Sequence, residues 1–151
     1  MSASARYAHT NLVAHDWRQL AAFYTDVFGC RPVGAQRDLS GTWLEQATAV
    51  ADAHLTGQHL LLPGHGDTGP TLEIFSYDSV HAQSQPVADR AGYGHLAFEV
   101  DDVAASLREV LAHGGSELGT PARSDVPGAG ELVIVYARDP EGNILELQSW
   151  T

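Results

Sequence analysis

Two histidines and two glutamates occupy matched positions in two copies of one sequence pattern. His9 opens the segment HTNLVAHDWRQLAAFYTDVFG, and His95 opens the segment HLAFEVDDVAASLREVLAHGG, which aligns with it without a gap. The later tripeptides LEI and LEL put Glu73 opposite Glu146 in the same repeat. Imidazole nitrogens and carboxylate oxygens suit Zn, Ni, Co, Mn or Fe(II). The repeat therefore predicts one divalent transition metal bound by His9, Glu73, His95 and Glu146.

The chemistry of such a site depends on how many coordination positions stay open. Four protein ligands in an octahedral shell leave two positions for water or substrate, and open positions distinguish a catalytic metal from a structural one. The metal can stabilise an oxyanion while a carboxylate beside it moves a proton. The ligand pattern thus favours an enzyme acting on a small molecule.

The elements that position these residues are also repeated. Tyr7–Ala14 alternates with a period of two, which is typical of a strand, and Asp16 is a suitable N-cap for a helix that ends at Gly29. In the second copy the apolar alternation continues to Val100, Asp102 takes the cap position, and the helix ends at Gly114-Gly115.

Further strands complete each half. They are predicted at Arg31–Arg37, His54–Leu62 and Thr71–Tyr77, and again at Ser116–Leu118, Glu131–Arg138 and Asn143–Trp150. A short helix is expected around Gly41–Thr48, a linker over Asp78–Gly92 and a mobile loop over Pro121–Gly130. Asp139-Pro140-Glu141-Gly142 is typical of a type I turn. Each half then has the order strand, helix and three strands.

The direction of the side chains supports a common site. Leu72 and Ile74 flank Glu73, so they project from the opposite face of their strand, and Glu146 alternates with Leu145 and Leu147 in the same way. If the apolar faces pack under the helices, all four candidate ligands lie on the face that the helices leave uncovered.

Composition narrows the class of protein. The chain has 151 residues, 44% of them hydrophobic, which suits a single soluble domain with its own core. We find neither a membrane-length apolar run nor a secretory signal pattern, and a net charge of −11 argues against binding nucleic acid. A single cysteine, Cys30, allows no internal disulfide and suits the cytoplasm. No nucleophile role is assigned to it.

On its motifs the chain resembles the vicinal oxygen chelate superfamily, which includes glyoxalase I, extradiol dioxygenases, methylmalonyl-CoA epimerase and fosfomycin-resistance enzymes. The motifs are His9-Thr10 before Phe23–Gly29, Leu72-Glu73-Ile74, Gly92-Tyr93-Gly94-His95, and Asp139 to Glu146. The resemblance implies an α+β fold in which two βαβββ modules, residues 7–77 and 93–150, form a partly open barrel around one metal site. One domain then spans residues 1–151.

The ligand order His, Glu, His, Glu is similar to that of glyoxalase I. This similarity implies a metal-dependent lyase or isomerase that converts a hemithioacetal to a thioester through an enediolate held on the metal. Glu73 and Glu146 would be the catalytic residues, with Glu146 preferred as base. Glyoxalase I continues its Leu-Glu-Leu strand with a Thr and an Asn-Trp that help to hold glutathione, whereas this chain continues Phe75-Ser76-Tyr77-Asp78. The thiol, if one is used, therefore stays open, and no residue is assigned to a cofactor other than the metal.

Three other functions remain open. An Fe(II) extradiol-type dioxygenase would use His9, His95 and Glu146 with a preceding tyrosine, a position that Tyr136 could fill, although Glu73 would be surplus and Tyr136 is interpreted as an ordinary strand aromatic. An acyl-thioester epimerase usually has Gln at the position of Glu73. A non-catalytic drug-binding protein would be expected to lack the ligands. Four histidines that follow no repeat are interpreted as surface or loop residues: His54, His59, His65 and His113.

The resemblance also implies a homodimer. Relatives of this length commonly pair, and a module of this kind leaves sheet edges that need covering. The expected arrangement brings His9 and Glu73 of one subunit to His95 and Glu146 of the other. The alternative builds all four ligands from one chain.

Overall fold

The structure is a computed structural model that describes residues 4–151, so residues 1–3 of the expected domain lie outside the described part. The chain divides into two compact units between His81 and Ala82, within the expected linker. Each unit contains one sheet and one long helix, which confirms the α+β class. None of the helices in the described residues is long and apolar enough to cross a membrane.

Unit 1, the part of the chain up to His81, has a four-stranded sheet in the order β1-β4-β3-β2. Strand β1 is parallel to β4, and the other pairs are antiparallel. Its elements are β1 (His9–Val13), α1 (Trp17–Phe28), β2 (Arg31–Ser40), α2 (Thr42–Thr48), β3 (His54–Leu61) and β4 (Thr71–Tyr77).

Unit 2, the part from Ala82 onward, repeats this topology. Its sheet has the order β5-β9-β8-β6, and β7 also pairs with β8. The elements are β5 (Leu96–Glu99), α3 (Val103–Ala112), β6 (Ser116–Glu117), β7 (Ala122–Val126), β8 (Gly130–Arg138) and β9 (Ile144–Trp150). The expected βαβββ order is confirmed, with the edge strand of unit 2 divided into β6 and β7.

Local capping fixes where the two long helices begin. The Asp16 side chain accepts hydrogen bonds from the backbone N–H groups of Arg18 and Gln19, and the Asp102 side chain accepts one from Ala105. These bonds satisfy donors that the first turn of a helix leaves free. Helix α1 ends at Gly29, whose φ of 70° is readily adopted by glycine. Both predicted N-caps are confirmed.

Each long helix packs on one face of its sheet. In unit 1 the buried Leu20 and Tyr24 of α1 share this face with Leu60, Leu72 and Ile74. In unit 2 the corresponding buried residues are Val103, Leu107, Val110, Val135, Leu145 and Leu147. Burying one such leucine contributes about 1.5–3 kcal/mol. The opposite face of each sheet carries the other residues of the alternation, which include Glu73 in unit 1 and Glu146 in unit 2.

Two expectations for these elements were wrong. The predicted loop Pro121–Gly130 contains strand β7, because Pro127 and Gly128 form only a short hairpin turn, in which Ala129 N–H donates to Val126 O at 2.9 Å. The face opposite α1 is not free of helices either. Leu44 of α2 packs there against Leu55 and Phe75.

Candidate metal-binding site

The first predicted pair, His9 and Glu73, comes together on two parallel neighbouring strands. The distance from His9 Nε2 to Glu73 Oε1 is 3.5 Å. The register of β1 and β4 aligns Asn11 with Glu73, and Asn11 Nδ2 donates a hydrogen bond of 2.9 Å to the same carboxylate oxygen. The Glu73 side chain is only 12% exposed, and that of His9 is 40% exposed. The Glu73 carboxylate is thus shielded from solvent, whereas the His9 imidazole beside it is more accessible.

A third residue, His59, lies beside this pair. Antiparallel pairing of β3 with β4 sets His59 directly opposite Glu73, and His59 Nε2 lies 2.6 Å from Glu73 Oε2. Burial lowers the pKa of His59, and the charges of Arg37 and His9 lower it further, whereas Glu73 opposes the shift. The interpretation of His59 as a surface or loop residue was therefore wrong.

The second predicted pair, His95 and Glu146, comes together in unit 2. His95 Nε2 lies 2.8 Å from Glu146 Oε2, and the Glu146 side chain is again only 12% exposed. His95 immediately precedes β5 rather than lying within it. The structure therefore brings His9 to Glu73 within one unit and His95 to Glu146 within the other.

Tyr136 lies against this second pair. It is directly opposite Glu146 in the pairing of β8 with β9, and its ring centroid is 4.8 Å from that of His95. Burial raises the pKa of Tyr136, and the charge of Glu146 and a hydrogen bond with it act in the same direction. Tyr136 is on a strand, as expected, and its hydroxyl group in addition hydrogen-bonds to Glu146.

A cavity of about 370 Å³ adjoins Tyr136 within unit 2. Its lining is largely apolar and comes from the linker, the start of β7 with the segment before it, and β8: Ala88, Leu118, Gly119, Thr120, Ala122, Ile134, Val135 and Tyr136. The volume is within the range of small-molecule sites. A small apolar group can therefore lie beside the phenol.

The residues fit a divalent transition metal by their chemistry. Each unit holds at least one imidazole nitrogen and one carboxylate oxygen within a few ångströms of each other, and this donor set suits Zn, Ni, Co, Mn and Fe(II). The carboxylates are shielded while His9 and His95 keep 40% and 30% of their side chains exposed. A site built from these residues would therefore remain accessible to a substrate.

The other histidines considered in the sequence, and the single cysteine, lie away from these two pairs. His54 is on β3 rather than in a loop, and its two ring nitrogens lie 2.8 Å from Asp38 and Asp78, whose hydrogen bonds raise its pKa. His65 and His113 are exposed, as expected. Burial raises the pKa of the Cys30 thiol to about 11, so its reactive thiolate form is disfavoured.

Comparison with solved structures identifies proteins of the same fold. A glyoxalase family protein from Bacillus cereus is 16% identical, with a TM-score of 0.78, and the match covers 99% of this chain and 96% of that one. The fosfomycin resistance protein FosX from Listeria monocytogenes is 20% identical, with a TM-score of 0.58 and coverage of 99% and 94%.

A third match is a glyoxalase I variant from Zea mays. It is 25% identical, with a TM-score of 0.64, over 95% of this chain and 44% of the maize protein. This chain thus spans less than half of the maize protein. A search of curated proteins found no match.

The family model confirms the resemblance noted in the sequence. The model of the Glyoxalase/Bleomycin resistance protein/Dioxygenase superfamily matches residues 6–147, a span that includes all four predicted ligands. The chain therefore belongs to the Glyoxalase/Bleomycin resistance protein/Dioxygenase superfamily.

Proposed function

We propose that this chain is a cytoplasmic, metal-dependent lyase or isomerase of the glyoxalase I type. His9, Glu73, His95 and Glu146 are its metal ligands, and its two modules, residues 7–77 and 93–150, act as one domain. The observation that carries the proposal is the repeated His–Glu pair, with nitrogen–oxygen distances of 3.5 Å in unit 1 and 2.8 Å in unit 2.

The proposed reaction converts the hemithioacetal of an α-ketoaldehyde to a thioester. When bound, the metal would stabilise negative charge on substrate oxygens. Glu146 takes a proton from one substrate carbon and returns it to the neighbouring carbon, while Tyr136 and His95 hold its carboxylate in place. The cavity beside Tyr136 accommodates the apolar side group of a small substrate.

The thiol carried by the substrate need not be glutathione. Ser76 Oγ accepts a hydrogen bond from Trp17 N–H and donates one to Ala14 O, so its hydroxyl group is used in joining α1 to β4. Phe75 is buried against Leu44. The residues that follow Glu73 therefore contribute to packing, and no thiol-binding role is assigned to them.

The metal itself is the first test of the proposed function. Elemental analysis of protein purified without chelator should find about one transition metal per chain, because the donor set is of the transition-metal type. Replacing His9 and His95 together with alanine should abolish binding, since each unit loses an imidazole ligand. His65→Ala, which removes an exposed histidine of unit 1, is the control and should keep full metal. Full metal in the doubly substituted chain would contradict the proposal.

A second candidate function is favoured by one observation. Tyr136 contacts both Glu146 and His95, and a tyrosine beside two ligands is what an Fe(II) extradiol-type dioxygenase would use. Assays of the iron-loaded and the nickel-loaded protein separate the two reactions. Oxygen uptake with catechols and no turnover of hemithioacetals with any common thiol would favour the dioxygenase.

We also propose that the chain forms a homodimer. Strands β1 and β5 are the ends of their sheets and have a strand partner on one side only among the described residues. Tyr7 and Tyr93, each two residues before a ligand histidine, are exposed. Unpaired edges and exposed aromatic side chains are features that subunit interfaces cover.

Mixing two inactive variants tests whether subunits share a site. Chains with His9→Ala should regain activity when mixed and refolded with chains carrying His95→Ala, because a mixed dimer then contains one intact set of ligands. Each variant mixed with itself is the control. No recovery in mixtures that exchange subunits would show that each chain forms its own site.

A further inference from the structure

The Glu73 carboxylate has two imidazoles beside it, whereas the sequence repeat predicts only one, that of His9. His9 approaches one carboxylate oxygen from β1, and His59 approaches the other from β3 at 2.6 Å. One ligand-type atom from each of the three residues lies within 4.8 Å of the others. Throughout residues 4–151 this is the single group of three such side chains gathered so closely.

We propose that His59 is a direct metal ligand, so that unit 1 holds the metal through His9, His59 and Glu73. The inference rests on the proposed function only in requiring that a divalent transition metal is bound. Two imidazoles and one carboxylate form a ligand set for such metals that leaves coordination positions open. No donor from unit 2 is needed to complete this set of three.

The orientation of the His59 ring supports a ligand role. Its Nδ1 lies 2.9 Å from Thr71 Oγ1, so Nε2 is directed towards Glu73 and His9. Metal-binding histidines usually give their other ring N–H to an oxygen in this way, which fixes the ring. The His59 ring also packs against the Phe75 ring in a T-shaped arrangement, with ring centroids 6.4 Å apart and ring planes at 86°. Hydrogen bonding and packing thus hold His59 in one position.

The equivalent position of unit 2 provides a contrast. Tyr136 stands opposite Glu146 as His59 stands opposite Glu73, so the two residues correspond in the repeated topology. A phenol that hydrogen-bonds to Glu146 is a weaker donor for these metals than an imidazole. Unit 1 therefore offers three ligands and unit 2 offers two, and metal affinity should depend more on unit 1.

The test compares His59→Gln with its matched control, Tyr136→Phe. Glutamine keeps an N–H donor for Glu73 but removes the imidazole, so it separates ligation from hydrogen bonding. Competition with a chromophoric chelator for Co(II) should show that His59→Gln lowers affinity by more than about 100-fold, because losing an outer hydrogen-bond partner costs only about 10–100-fold. Tyr136→Phe removes only an outer hydrogen-bond partner of Glu146 and should lower the affinity by no more than about 10–100-fold.

The number of bound imidazoles provides an independent readout. In the Co(II) protein each ligating histidine gives a strongly shifted, exchangeable N–H resonance, and His59→Gln should lose one of them. If His59→Gln does not fold, the unsubstituted protein labelled with ¹⁵N-histidine still tests whether His59 binds the metal. Zinc should then shift the Nε2 resonance of His59 together with that of His9, while His54 and His113 keep theirs.

Several results would overturn the inference. The metal affinity of His59→Gln could be unchanged, or it could fall while every shifted N–H resonance of the Co(II) protein is retained. Zinc could also leave the His59 resonance of the unsubstituted protein where it is. If metal still binds and depends on His9 and His95, the proposed function stands and only the role of His59 fails. If the unsubstituted protein binds no transition metal, both fail.

Discussion

Replacing Glu146 with glutamine is expected to lower turnover of the metal-loaded protein by about 10²–10⁴, the range for losing a general base. Glutamine has nearly the same shape and can still hydrogen-bond to Tyr136, but it cannot accept the proton. The side chain is largely shielded, and His95 Nε2 lies 2.8 Å from it, so a solvent carboxylate cannot readily replace it. The measurement is kcat per bound metal, with circular dichroism to verify the fold.

Two further variants test whether the loss of turnover is specific to Glu146. Glu117→Gln removes an exposed carboxylate of the same unit and should leave kcat unchanged. Glu73→Gln should lower metal content first, because its carboxylate is fixed between His9, His59 and Asn11. Undiminished kcat in metal-loaded Glu146→Gln would remove Glu146 from the role of base.

Much of the fold follows from local signals in the sequence. Both ends of β4 agree with the predicted Thr71–Tyr77, and the caps Asp16 and Asp102 were identified because a helix N-terminus requires a side-chain acceptor. The turn at Asp139 is also confirmed, with Gly142 N–H donating to Asp139 O at 2.9 Å. Each of these features is determined by residues close together in the chain.

The contacts of His59 with Glu73 and of Tyr136 with Glu146 were not predicted, because they depend on strand pairing. A search for repeats finds residues of the same type, but His59 and Tyr136 occupy equivalent positions with different types. The signal that could have found them is the register of two antiparallel hairpins, β3–β4 and β8–β9. Once Glu73 and Glu146 are selected, the residue directly opposite each one becomes a candidate.

Strand β7 and the position of α2 were missed for a related reason. The Pro and Gly residues near Pro127 mark a turn, and composition alone does not tell a turn between strands from a longer loop. The face on which α2 packs depends on the contacts of Leu44 with Leu55 and Phe75, which belong to two other elements. Such packing is determined by the tertiary structure rather than by local sequence.

Gly57→Ala is expected to destabilise the protein by about 1–3 kcal/mol or more, the cost of overpacking a close contact. A Cβ atom at Gly57 would lie 2.1 Å from Ile74 O and 2.4 Å from Phe75 Cδ1. The first is backbone of the β3–β4 pairing, so the strands must separate or shift. Urea denaturation of the metal-free protein measures the loss of stability.

The same substitution should also weaken metal binding, because the Phe75 ring that would be displaced is the one that supports the edge of His59. Gly119→Ala is the matched control: its Cβ would have no neighbour closer than Tyr136 O at 3.9 Å, and both stability and metal affinity should be unchanged. A Gly57→Ala protein as stable as the Gly119→Ala protein would mean that β3 and β4 can separate at this point without cost. A destabilised Gly57→Ala protein with full metal affinity would instead show that Phe75 does not support His59, and that the polar contacts with Thr71 and Glu73 orient the imidazole.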